Sequence, residues 1–311
     1  MKRMQIRTDL AMESREGAKN TQGVTVASFC RGCIEEIRVC VETEESARAL
    51  DKSIGRYVTL SCSALLHAGA KERQELAEAL CDALRDMLPP FGDLLVVGLG
   101  NRRITADALG SRVLESLLIT RHIKGVISDD LQGRLRGVCA VAPGVLGVTG
   151  METAEVVHGI VEHVKPAAVI AIDALAARES SRICTTIQVT DTGIRPGSGV
   201  GNHRMGLTKD TLGIPVIAIG VPMVVYAAVI ARDALTLLIK DMGVQEEDHE
   251  QAVDAMIGKV IQQGLGEMVV TPREVDEMVG KVAEIIAEGL NMALQPRLTR
   301  EEISLLSHDA L

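Results

Sequence analysis

Three aspartates in this chain directly follow, or closely follow, short apolar runs. Asp173 comes straight after Ala168-Val169-Ile170-Ala171-Ile172. Asp107 follows Leu94-Leu95-Val96-Val97-Gly98-Leu99 by a short loop containing Gly98, Gly100 and Asn101. Asp191 follows the run Thr185 to Val189. Open α/β sheets place their sites at the carboxyl ends of the strands. The sequence therefore predicts that three carboxylates meet two glycine-rich loops, at Gly98–Asn101 and Pro143–Gly150, along one sheet edge. Two carboxylates held close cannot both ionise easily, so one keeps a proton while the other acts as a base. A pair of this kind can activate water and protonate a leaving amine, which is peptide hydrolysis. It titrates as a unit.

Each of these residues also has a structural role open to it. Asp173 could cap a helix beginning at Ala174, and Asp107 could cap the helix that carries Val113. Asp191-Thr192-Gly193 spells the active-site triplet of pepsin-type enzymes. It occurs once, in a chain of another class, and ordinary turn chemistry is the favoured role for Asp191. Gly98-x-Gly100 begins a dinucleotide fingerprint, but Arg103 stands where the third glycine belongs. The seven histidines are scattered, with none in a nucleophile motif; His122 and His203 lie in or near loops and are candidate helpers. Cys30 and Cys33 form a lone C-x-x-C without a second pair, which is weak support for zinc. Neither a metal nor a cofactor is expected.

The composition narrows the classes further. Of 311 residues, 47% are apolar, so a packed globule is expected. Two Tyr, two Phe and no Trp leave an aliphatic core and no platforms for base stacking. A net charge of -9 argues against direct nucleic-acid binding, which needs a basic face. The absence of a long uncharged apolar run predicts no membrane span, and the start of the chain lacks a signal-peptide core. A cytoplasmic location follows as the expectation. Seven cysteines, mostly within apolar runs, then read as small buried hydrophobes.

Residues 1 to about 30 read as an irregular lead-in. Strands are predicted at Ile34–Val41 and Tyr57–Leu60, and a helix at Ala70–Leu88 with Leu76, Leu80, Leu84 and Met87 at helical spacing. Apolar runs at 94–99, 137–141, 168–172, 185–189 and 215–219 then alternate with helical segments, including Thr153–Val164 and Val224–Ile239. This rhythm predicts an α/β fold, a mostly parallel sheet with helices on both faces. Beyond Gly243 charge rises, and Gln251–Gln263 and Glu274–Leu294 read as amphipathic helices, a helical C-terminal region packed on the same body.

Taken in order, several stretches resemble the germination protease family of endospore-forming bacteria. They are Ile6-Arg7-Thr8-Asp9-Leu10-Ala11, Gly98-Leu99-Gly100-Asn101, Asp107-Ala108-Leu109-Gly110, Leu118-Ile119-Thr120-Arg121-His122, Pro143-Gly144-Val145, Ala171 to Arg178, and Asp191 to Asn202. The resemblance runs from the N-terminus to about Asp241 and continues at Val270–Glu274. It implies an atypical aspartic endopeptidase, made as a zymogen and assembled as a homotetramer in the spore core. Its substrates would be the small acid-soluble spore proteins, and its catalytic aspartates fall on Asp107 and Asp173. It also implies self-cleavage between Asp9 and Leu10, because Thr8-Asp9-Leu10-Ala11 is similar to the family's substrate sites. The divisions expected are a propeptide at 1–9, a protease domain at 10–241 and a helical extension at 242–311. The strand-Gly-x-Gly-Asn-loop-Asp pattern is also similar to hydrogenase maturation endopeptidases, which keeps a metal-dependent protease as an alternative. A non-enzymatic small-anion binder is the other.

Overall fold

A computed structural model describes residues 8–16, 22–63, 65, 68–125, 129–195, 205–241 and 268–309. In chain order the helices are α1 (Ala11–Glu16), α2 (Glu44–Leu50), α3 (Ala70–Arg85), α4 (Leu109–Glu115), α5 (Asp129–Arg134), α6 (Leu146–Thr149), α7 (Thr153–Val164), α8 (Lys209–Leu212), α9 (Ala227–Asp241), α10 (Val275–Leu294) and α11 (Arg300–Asp309). The strands are β1 (Val24–Arg31), β2 (Ile34–Val41), β3 (Gly55–Ser61), β4 (Leu94–Gly98), β5 (Val138–Val141), β6 (Ala168–Ala177), β7 (Thr186–Thr190), β8 (Val216–Tyr226) and β9 (Val269–Val270).

These strands form one sheet in the order β1-β2-β3-β7-β8-β6-β4-β5, with β9 added to the end of β8. Strands β5, β4, β6 and β8 are mutually parallel. Strands β1, β2, β3 and β7 are joined antiparallel, and β7 meets β8 antiparallel. The α/β architecture with a helical C-terminal region is thus present, built on a mixed sheet of which one half, β8-β6-β4-β5, is parallel.

Alternation along the strands divides the core. Val96, Ile170, Ile172, Ile217, Ile219, Ile187 and Val189 face α3, α4 and α10, where Leu76, Leu80, Val113, Ile286 and Leu290 meet them. On the other face Leu95, Val97, Val169 and Ala171 pack against Val157 and Val161 of α7 and Leu212 of α8. Helices α3 and α10 approach closely because Gly289 has no side chain: a Cβ there would lie 2.9 Å from the Ala77 carbonyl oxygen. Leu80, fully buried at this contact, should cost about 2–5 kcal/mol when changed to Ala, the range for a core leucine that leaves a cavity. Urea unfolding checks this; an unchanged midpoint would contradict the packing.

Three expectations change. The first 30 residues are not irregular throughout, since α1 and β1 lie within them. Strand β1 is an edge strand, largely exposed on both faces, so it lacks the alternation that marks a half-buried strand. The helix expected from Val224 begins at Ala227, because β8 runs on to Tyr226. No helix begins at Ala174: β6 continues through the alanine-rich stretch to Ala177, paired with β8 at Ala174↔Val221 and beyond. Tertiary pairing there overrides the helical preference of alanine. The helix expected at Gln251–Gln263 lies outside the described residues, as do His67, His203 and His249. Among the described residues no helix is long and apolar enough to cross a membrane.

Candidate active site

The parallel strands β4 and β6 end side by side. Leu99 N–H donates to the Ile172 carbonyl at 2.8 Å, the last ladder bond before the chain leaves the sheet. Gly98 and Gly110 bring backbone against backbone, for a Cβ on Gly98 would stand 2.5 Å from the Gly110 carbonyl oxygen. Gly100 has φ +93, and a Cβ there would fall 2.0 Å from the Asp107 carbonyl oxygen. The glycines therefore fold the 3-10 turn Thr105–Asp107 down onto the strand ends, where it packs against β6, β8 and α10. The Asp107 carboxylate accepts the Asn101 N–H at 2.8 Å, which occupies the amide that a bound phosphate would need at this loop. Asp107 does not cap α4, whose first residue has no side-chain cap.

Asp173 lies within β6, 5% exposed and level with Gly220 of β8. Its Oδ1 accepts the Ala174 N–H at 3.0 Å. The alternation that turns Ile170 and Ile172 to the α3/α10 face puts Asp173 on the opposite face, between Val169 and Ala171 on one side and Leu175 and Ala177 on the other. A buried carboxylate thus interrupts an apolar strip. Gln188 of β7 pairs with Gly220, which pairs with Asp173, so Gln188, Gly220 and Asp173 form a row across three strands.

Asp107, Gly98, Gly100 and Asn101 are thus gathered at the strand end beside β6, which carries Asp173. Asp191 is not with them. Strand β7 runs opposite to β8, so its end at Thr190 is level with Ala218 rather than with the carboxyl end of β8. Asp191 instead accepts the Arg56 N–H at 2.8 Å and pairs with the Arg56 guanidinium at 2.8 Å. The expected meeting of three carboxylates on one edge is corrected accordingly. His122, in the turn Arg121–Ile123, is likewise remote. Thr120 N–H bonds the carbonyl of Val138, at the start of β5 and so at the far edge of the sheet.

The N-terminal segment lies on the Asp173 face. Asp9 N–H donates to the Ala176 carbonyl at 3.1 Å, and its carboxylate accepts the Ala176 N–H at 2.9 Å. Asp9 therefore does not cap α1. Leu10 and Met12 are buried with Leu175, Val225 and Val229. Glu13, 1% exposed, accepts the N–H groups of Arg178 and Glu179 at 2.9 and 3.1 Å and pairs with Arg182 at 3.2 Å. Thr8 donates its hydroxyl to Glu13 as well. Residues 8–13 are thus pinned down along their length. Lys52 and Gln188, which hold it as described below, went unnoticed in the sequence. A polar amide between Ile187 and Val189 was the available signal for Gln188; Lys52 offered none.

Burial pushes the Glu13 carboxyl above its ordinary value of 4.5, against the lowering effects of Thr8, Arg178 and Arg182. The folded chain therefore holds this proton more tightly than the unfolded one. The stabilisation is full below about pH 4.5 and is lost as pH rises toward the raised value. Glu13→Gln should remove this dependence, so the gap in Tm between wild type and variant changes through that window. A constant gap would contradict it. Burial lowers the Lys52 ammonium, with Asp9, Asp51 and Glu13 opposing.

The germination protease family model matches residues 2–264 of the chain. The germination protease of Clostridium perfringens (strain 13 / Type A) is 42% identical over 318 residues, covering 96% of this chain and 98% of that one. That of Caldanaerobacter subterraneus subsp. tengcongensis is 41% identical, covering 97% and 98%. That of Bacillus subtilis (strain 168) is 36% identical over 357 residues, covering 97% of each. Among solved structures, a NiFe hydrogenase maturation protease from Thermococcus kodakarensis KOD1 is 18% identical with a TM-score of 0.32, over 67% of this chain and 98% of that one. A likeness that slight carries no argument. The chain is a peptidase. It belongs to the germination protease family.

Proposed function

We propose that this peptidase is an endopeptidase of the aspartic type, with Asp107 and Asp173 as the catalytic pair. It degrades small acid-soluble spore proteins during germination, in the spore core. It is made as a zymogen that removes residues 1–9 by cutting Asp9–Leu10, and it works as a homotetramer. Residues 10–241 carry the protease and 242–311 form a helical extension on the same body.

One observation carries the proposal: Asp173 lies within β6, and Asp107 lies in the turn folded onto the end of the neighbouring parallel strand β4, at the edge where α/β sheets place their chemistry. Asp173 is buried within an apolar strip. Asp107 and Asp173 each accept one backbone N–H, from Asn101 at 2.8 Å and from Ala174 at 3.0 Å. Two carboxyl groups held at one site can divide the work of acid and base that water attack on a peptide requires. The membership of the family supports the substrate class.

Among the described residues no three His, Cys, Asp or Glu side chains come together as a metal site. Treatment with a strong chelator is therefore expected to leave the cleavage of a spore-protein peptide unchanged. Activity that vanishes with the chelator and returns with a divalent ion would replace the aspartate pair by a metal-dependent mechanism.

A further inference from the structure

The carbonyl of Asp9 is held by two side-chain donors. Lys52 Nζ reaches its oxygen at 3.1 Å and Gln188 Nε2 at 3.2 Å. Lys52 also binds the Thr8 carbonyl at 3.0 Å. The Gln188 amide uses its other end as well, with Oε1 accepting the Ala11 N–H at 2.7 Å. One side chain thus spans the Asp9–Leu10 bond, gripping the residue before it and the second residue after it. Gln188 stands in the same row as Asp173, separated from it by Gly220. A Cβ at Gly220 would press on the Leu175 side chain, 2.4 Å away.

Two hydrogen-bond donors converging on the carbonyl oxygen of a bond to be cut are what an oxyanion requires. Resting on the self-cleavage proposed above, we infer that Lys52 and Gln188 are the groups that polarise the Asp9 carbonyl and stabilise the oxyanion formed on it. Water adds through its oxygen to the Asp9 carbonyl carbon, and one aspartate of the pair takes the water proton. The carbonyl electrons move onto the oxygen held by Lys52 and Gln188. When that tetrahedral species collapses, the bond to the Leu10 nitrogen breaks and the other aspartic acid gives the nitrogen its proton. One water is consumed; Asp9 leaves with a new carboxylate, and Leu10 keeps a new amine. Lys52 supplies hydrogen-bond donors where negative charge develops. Gln188 supplies a fixed donor whose orientation is set by its bond to Ala11.

The test follows self-cleavage by intact mass, using full-length chains from cell-free synthesis. Lys52→Met removes the donors at similar length. Gln188→Glu keeps the acceptor for Ala11 and removes the donor. Each is expected to slow the loss of residues 1–9 by about 10²- to 10³-fold, the cost of deleting one oxyanion donor. Lys52→Arg, which retains donors and charge, should recover much of the rate. Lys52 and Gln188 lie on different parts of the fold, so a failure of one variant to fold leaves the other as the test. A cradle that merely holds the segment down predicts the opposite sign: variants that cleave as fast as wild type or faster would overturn the assignment. Asp173→Asn runs alongside. A wild type that never cuts Asp9–Leu10, or an Asp173→Asn chain that cuts it at the wild-type rate, defeats self-cleavage by the pair and the assignment with it. Wild-type cutting that depends on Asp173 but not on Lys52 or Gln188 defeats the assignment alone.

Discussion

Asp107→Asn and Asp173→Asn are each expected to lower kcat/KM on a spore-protein peptide by about 10²- to 10⁴-fold, the range for removing a general acid or base. Both changes preserve the local structure. Asn at 173 can still accept the Ala174 N–H through Oδ1, and Asn at 107 can still accept the Asn101 N–H. Thermal unfolding should therefore move little while turnover collapses. The effects should not add, because acid and base act in the same step: the double variant should be about as slow as the slower single one. A variant with near wild-type turnover would show that its aspartate only holds the loop. Asp191→Asn is the comparison, since Asp191 serves Arg56 at a distance from the pair. It should cost stability more than turnover.

Gly100→Ala is expected to have the next largest effect, through geometry alone. With φ +93, residue 100 has a backbone conformation that side-chain-bearing residues rarely adopt, at a cost of about 1–3 kcal/mol. The added Cβ would also lie 2.0 Å from the Asp107 carbonyl oxygen, so the 3-10 turn must move away from the strand end. A displacement of about 1 Å at a catalytic group costs about 10²-fold in rate. The control is Gly159→Ala in α7, where a Cβ meets nothing within 4 Å. That change should stabilise the helix by about 1 kcal/mol and leave turnover alone. Equal effects from the two alanines would refute the claim that Gly100 places Asp107.

The sequence made some of this visible and hid the rest for physical reasons. Strands β4, β5 and β6 show as apolar runs because their central part is covered on both faces. Helices α3, α7 and α10 show through one-sided periodicity. The direction of β7 was hidden, since an apolar run has no polarity, and with it the position of Asp191. The clue lay in length: Arg178 to Thr185 is too short for the crossover that a parallel connection needs. The end of β6 was hidden because Ala174, Ala176 and Ala177 favour a helix, while the partners that extend them, Val221, Val224, Val225 and Asp9, are distant in sequence. The pair Asp107 and Asp173 was legible as two strand-end carboxylates. The grip of Lys52 and Gln188 on Asp9 was not, because it joins three segments far apart in the chain.

The most direct test of the aspartate pair is the pH dependence of kcat/KM on a single peptide containing Asp-Leu-Ala, measured from about pH 4 to about pH 9. An essential base and an essential acid give a bell-shaped profile. The account predicts that bell in the wild type, with the limbs belonging to the pair as a unit. Activity that keeps rising to the alkaline end would contradict it, as that is the behaviour of a nucleophile or metal-bound hydroxide freed by deprotonation rather than of two carboxyl groups sharing the work.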